Sequence, residues 1–343
     1  MRHFPRPDGP YDVGSVSFRL RDASRPAHIL SDRPGRELFL KLWYPADAGG
    51  EETAGDRERI WEQLRGRSDL PLPVRWTLAA LKGIRTYTRP SAPFAHDVQA
   101  PRLTVYNHGL ISFASENTSL AESLTSHGFV ILGVEHVEQL AELQALNHQQ
   151  PADKRKQDAA AAARLKKAAP EERAQKAPDY YRSAENTNRI VAARTADVTF
   201  ALRHIDDVVK GIPGFGKTKL DTDHIAMVGF SLGGAIATEF AASDGRAAAI
   251  VNLDGGFFGS QQGELIAAPY LMMYSSESEG MNDALLPKQT RSITGPLTKH
   301  LNYHDIAMMM PFLRHTGILG KAPARDFIEF RNHEVCDFLL QYK

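Results

Sequence analysis

A chain of 343 residues, 42% hydrophobic and 24% charged, can bury one large core and is short enough to form a single α/β domain. Its 41 Lys+Arg and 41 Asp+Glu cancel, which argues against a nucleic-acid binder or a protein drawn to anionic membranes. The single cysteine, Cys336, excludes an internal disulfide and a multi-cysteine metal site, and apolar runs such as Phe129 to Val134 are far too short to cross a bilayer. The first ten residues hold no apolar h-region, so no signal peptide is expected. As given, the chain reads as soluble and cytoplasmic; a cleaved leader would make it periplasmic or secreted.

Val13 to Leu20 and Leu38 to Tyr44 alternate apolar and polar residues, the pattern of two antiparallel edge strands joined by a polar loop. After the Gly/Glu-rich break at Gly49 to Gly55, large apolar residues at helical spacing (Ile60, Trp61, Leu64, Trp76, Leu78, Leu81) predict a helical insertion over residues 55–90. It packs on the body of the domain, or else forms a pocket wall or interfacial surface. Leu103 to Tyr106 is a short buried strand, followed by a helix carrying Leu120 and Leu124. Phe129 to Val134 is the next strand. This βαβ rhythm predicts a mostly parallel sheet with helices on both faces.

The rhythm then breaks. Leu140 to Arg182 is rich in Ala, Lys, Arg and Gln, and Lys154 to Arg182 holds nine basic against four acidic residues. Such a stretch is helical but solvated, and it is expected to be a mobile cap over a binding site. It lacks the interleaved aromatics of a nucleic-acid arm. Asn186 to Lys210 is an amphipathic helix with Ile190, Val198, Leu202, Ile205 and Val209 on one side. Further strands are expected at Ala247 to Leu253, Tyr270 to Tyr274 and within Ser292 to Lys299. Asp305 is placed to cap a Met-rich helix, and Phe327 to Leu340 reads as a closing amphipathic helix whose Cys336 is a core thiol.

The most informative stretch lies between Asp223 and Ala242. Ile225 to Val228 is an uncharged apolar run, Ala235 to Ala242 is small and helix-favouring, and Gly229-Phe230-Ser231-Leu232-Gly233 joins them. A strand that turns directly into a helix through Gly-x-Ser-x-Gly is a nucleophile elbow: it strains the serine backbone and exposes its hydroxyl at the helix N-terminus, where an oxyanion is stabilised. A serine hydroxyl is a weak nucleophile until a base takes its proton, and that base needs a third group to hold its tautomer. On this kind of sheet the order along the chain is Ser, acid, His. Ser231, Asp254 and His300 satisfy it.

Glu277, which ends the following strand, is the rival acid, but Gly255-Gly256 after Asp254 favours a sharp turn that presents a short carboxylate. His304, His315 and His333 are rival bases. His300 is preferred because it stands at a strand-to-loop boundary. His300 and His304 resemble half of a metal pair, but no Glu follows the first His and no third ligand is in view, so no metal or other cofactor is expected. The oxyanion donors are expected to be the backbone N–H groups of Leu232 and of Leu110, in the loop His108-Gly109-Leu110, with the His108 side chain bracing that loop.

Five stretches make the chain similar to a known family. They are Gly9 to Gly14 with Leu42-Trp43-Tyr44-Pro45; Asn107 to Leu110; Ser126 to Val130 through Val134-Glu135-His136; Gly229 to Gly234; and His300-Leu301-Asn302-Tyr303-His304-Asp305. Together they resemble the plasma-type platelet-activating factor acetylhydrolases and their bacterial relatives in the α/β-hydrolase superfamily. The resemblance implies an α/β-hydrolase fold, His300 instead of His304 as base, the acid at Asp254, and metal-free hydrolysis of esters with short or oxidised acyl chains. Two departures stand out: Phe230 where relatives often carry His, and a charged 140–182 insertion that looks longer than usual. The expected function is a serine ester hydrolase acting through an acyl-enzyme on a small, lipid-derived ester. The alternatives are a cyclic-ester (dienelactone-type) hydrolase or amidase on the same triad, and, from another class, a non-catalytic binding protein of this fold.

Overall fold

A computed structural model of the chain describes residues 4–47, 84–136, 140–216, 218–260 and 263–342. The predicted insertion over 55–90 lies outside the described residues up to residue 83. Its last residues are not helical, because Thr88–Pro90 forms a strand, β3.

The hairpin of β1 (Asp12–Pro26) and β2 (Pro34–Ala46) extends well beyond the alternating segments, with Arg21 opposite Glu37 and Asp22 opposite Arg36. The other strands are β4 (Arg102–Asn107), β5 (Phe129–Glu135), β6 (Asp221–Phe230), β7 (Ala247–Leu253), β8 (Tyr270–Ser275) and β9 (Thr290–Gly295). They form one sheet in the order β3-β1-β2-β5-β4-β6-β7-β8-β9. Pairing is antiparallel for β1/β2 and β2/β5 and parallel from β5 to β9. This is the mostly parallel sheet that the βαβ rhythm predicts, in the α/β-hydrolase arrangement that the resemblance implies.

The pleat divides the core in two. Ile225 and Met227 of β6 face one side, with Ile190, Val198 and Ile236, while Ala226, Val228 and Phe230 face the other, with Leu120, Leu124 and Val335. Strands buried on both faces need no polar alternation, which is why they read as continuous apolar runs. Helix α1 (Thr118–Ser126) lies after β4. Three helices then follow β5: α2 (Leu140–Gln149), α3 (Ala152–Lys167) and α4 (Pro170–Ser183). The predicted helix over 186–210 is two, α5 (Glu185–Arg203) and α6 (Ile205–Val209), separated at His204. Helix α7 (Leu232–Ser243) follows β6, α8 (Ile306–Met309) is a single turn, and α9 (Ala324–Gln341) closes the chain with Cys336 buried beneath it. Among the described residues no helix is long and apolar enough to cross a membrane.

Candidate active site

The turn from β6 into α7 is as tight as the glycines demand. A Cβ on Gly229 would overlap the Gly233 carbonyl, and one on Gly233 would overlap the Asn107 carbonyl of the neighbouring strand β4. Ser231 sits at the turn with φ 56° and ψ −121°, a left-handed backbone rare for a residue with a side chain. It is held there by its N–H, which donates to Leu253 O at 2.9 Å.

The three residues expected at the site lie in one line. The Ser231 hydroxyl donates to His300 Nε2 at 2.9 Å, and His300 Nδ1 donates to Asp254 Oδ2 at 2.6 Å. His300 keeps 42% of its side chain exposed against 1% for Asp254, so the imidazole is open to an incoming molecule while the acid lies behind it. The second carboxylate oxygen of Asp254 accepts from Ser275 N–H at 2.6 Å and from the Ser278 hydroxyl. Phe230 lies flat against His300 with ring centroids 4.8 Å apart, so an aromatic plane supports the imidazole.

The rivals do not join that line. Glu277 pairs at 3.1 Å with Lys299 on the surface. His315 is exposed, and His333 pairs with Asp337 at 3.1 Å along α9. His304 is buried, with its Nδ1 accepting Ile306 N–H at 2.8 Å; burial, together with the positive charge of Arg331, holds its pKa down to about 3. Asp305 does not cap α8 with its side chain. Its carboxylate instead accepts from Ser119 N–H at 2.8 Å and from the Ser119 hydroxyl at 2.6 Å, and it pairs with Arg331 at 3.2 Å. His300 is not at the end of a strand either: β9 stops at Gly295, and His300 opens a 3-10 turn (His300–Tyr303). That turn is fixed by Asn302, whose Oδ1 accepts from Lys299 N–H at 2.9 Å and Gly320 N–H at 2.7 Å.

The loop after β4 is braced on three sides. His108 Nδ1 donates to Gly109 O at 2.7 Å, and Arg194 of α5 donates to Gly109 O at 3.3 Å and Leu110 O at 3.0 Å. Because a trans peptide points its carbonyl and N–H in opposite directions, fixing Gly109 O fixes Leu110 N–H on the side away from Arg194. Glu116 Oε1 accepts Gly109 N–H at 3.0 Å and the Tyr106 hydroxyl at 2.7 Å. Burial pushes the Glu116 pKa up to about 7 against these hydrogen bonds. Leu232 is the first residue of α7, where a helix N–H has no intrahelical acceptor.

Arg194, Glu116 and Ser278 escaped the sequence analysis. Arg194 did leave a signal: it lies four residues from Ile190 and from Val198, inside the apolar stripe, where an unsolvated charge must have partners. Nothing local marks Ser278, whose role depends on where Asp254 comes to lie.

The family model described as platelet-activating factor acetylhydrolase, isoform II, matches residues 1–342. The platelet-activating factor acetylhydrolase of Bos taurus is 25% identical over 336 residues, covering 88% of this chain and 68% of that protein. The platelet-activating factor acetylhydrolase of Cavia porcellus is 23% identical over 313 residues, covering 81% and 62%. The chain thus spans about two thirds of the length of these relatives. The solved ferulic acid esterase from Streptomyces cinnamoneus has the same fold, with a TM-score of 0.69 at 22% identity over 99% of this chain and 93% of that one. The chain therefore belongs to the platelet-activating factor acetylhydrolase, isoform II, family, among the hydrolases of the α/β-hydrolase superfamily.

Proposed function

We propose that the protein is a serine ester hydrolase that cleaves short-acyl carboxylic esters through an acyl-enzyme. The observation that carries this reading is the unbroken line from the Ser231 hydroxyl through both His300 nitrogens to Asp254, at 2.9 and 2.6 Å. Ser231 Oγ attacks the ester carbonyl as its proton passes to His300 Nε2, and Asp254 stabilises the resulting imidazolium. The Leu110 and Leu232 N–H groups donate to the tetrahedral oxyanion. His300 returns the proton to the departing alkoxide, and a water activated by the same imidazole then hydrolyses the acyl-serine. None of these steps requires a metal or cofactor. The preference for short acyl groups, and for an ester derived from a lipid, is supported by the relatives named acetylhydrolases.

Ser231→Ala is expected to lower kcat on p-nitrophenyl acetate by roughly 10⁴- to 10⁶-fold with an unchanged circular dichroism spectrum. It should also abolish labelling by a fluorophosphonate probe. A variant that kept a tenth of wild-type turnover would remove Ser231 from the chemistry.

A further inference from the structure

The composition of residues 140–182 predicts a solvated cap with little to hold it. Its described side chains include buried anchors: Leu143, Leu146, Leu165, Ala177 and Tyr181 lie at 5% exposure or less. Of this segment, α3 and α4 are tied to the end of β8 and the stretch after it, which together carry both donors to Asp254 Oδ1. Three contacts make the connection. The first is steric: Gly280 has φ +81°, and a Cβ there would come within 2.6 Å of the Pro170 carbonyl oxygen at the start of α4. The second is Arg173, which is buried. Its Nη1 donates to Glu279 O at 3.0 Å, while its Nε and Nη2 donate at 3.0 Å to Leu165 O and Lys166 O at the end of α3. The third is Tyr181, whose hydroxyl donates to Asn282 Oδ1 at 2.7 Å. Asn282 Nδ2 in turn donates at 2.8 Å to the carbonyl of Gly255, the residue after Asp254. Tyr181 also packs edge-on against Phe258, with centroids 4.7 Å apart.

We propose that α3 and α4 brace the loop holding the Asp254 carboxylate, and that Tyr181, Asn282 and Arg173 are positioning residues for the Ser231–His300–Asp254 line. The inference rests on the triad reading above. The end of β8 carries the Ser275 N–H and the loop after it the Ser278 hydroxyl, and these two donors set the rotation of the carboxylate and so the oxygen presented to His300. A loop released from α4 lets the carboxylate turn, and the imidazole loses the partner that fixes its tautomer. The loss falls on the transition state, where the imidazolium forms, and not on ground-state binding.

Tyr181→Phe removes only the hydroxyl, and Arg173→Met cuts an independent tie. With p-nitrophenyl acetate, each is expected to lower kcat about tenfold while KM stays within about twofold. In an Asp254→Asn background the Tyr181→Phe change should add nothing further, because the group it positions is already lost. Assays run well below each variant's melting temperature separate this from unfolding. A folded Tyr181→Phe or Arg173→Met protein with wild-type kcat overturns the proposal, as does a change confined to KM and chain-length preference, which is what a simple lid would give. If instead Asp254→Asn alone kept wild-type turnover, the triad reading itself would fail, and the brace with it.

Discussion

Asp254 directly follows β7 and Glu277 lies two residues past β8, and the surroundings of each carboxylate separate them. Asp254 is buried, accepts from Ser275 N–H and the Ser278 hydroxyl on one oxygen, and meets His300 on the other. Glu277 is 40% exposed, and its partner Lys299 is a surface lysine. Surface pairs of this kind contribute about 0–1 kcal/mol to stability. Asp254→Asn is therefore expected to cost roughly 10⁴ in kcat, since an amide can hold the wrong imidazole tautomer, and Glu277→Gln less than about twofold. Steady-state kinetics on one short ester checks the ranking, and the reverse order would move the acid to Glu277.

The elbow depends on backbone proximity more than on any side chain. Gly229 faces the Gly233 carbonyl across the turn, so Gly229→Ala must push β6 and α7 apart. That separation disturbs packing on both faces of the sheet, because α7 leaves directly from the strand. The expected cost is more than about 3 kcal/mol. Gly245, in the loop after α7, has nothing within 4 Å of its Cβ position, so Gly245→Ala should stay within about 0.5 kcal/mol of wild type. Urea unfolding of the two variants makes the comparison, and equal midpoints would mean that the turn has room to spare.

Two buried carboxyls give the whole molecule a pH dependence. Glu116 sits under the loop after β4. Glu122 of α1 accepts from Tyr87 N–H at 2.6 Å and the Thr88 hydroxyl at 2.7 Å, tying α1 to the edge strand β3. Burial raises both from the ordinary 4.5 to about 7. Between those values the unfolded chain has released protons that the folded chain still holds, so the stabilisation present below pH 4.5 is lost as pH rises through 7. The linkage is on the order of 3 kcal/mol per group at most. Asp197 acts oppositely. Burial alone would raise it, but hydrogen bonds from His136 and Arg36 outweigh burial and hold it below the ordinary carboxylate range, so its contribution is lost only in acid. Glu116→Gln with Glu122→Gln should flatten the fall in melting temperature between pH 5 and pH 8. A slope identical to wild type would show that neither group titrates in that window.

What the chain announces by itself is what local patterns encode. Apolar runs bounded by turns located β4 to β8, because a strand buried on both faces must be continuously apolar. The tight turn at Ser231 was legible because its glycines are required within five residues, and the order Ser231, Asp254, His300 was read from the order of such residues on this kind of sheet. Residues far apart in sequence were decided only by folding. Arg194 reaches the loop after β4 from α5, Arg331 holds Asp305 from α9, and Tyr181 reaches the Asp254 loop from a segment whose composition reads as solvent-facing. Nothing in a charged helix tells which of its turns will meet a partner more than a hundred residues away. A hydrogen bond between side chains needs both ends in place, and only the tertiary structure brings the second end.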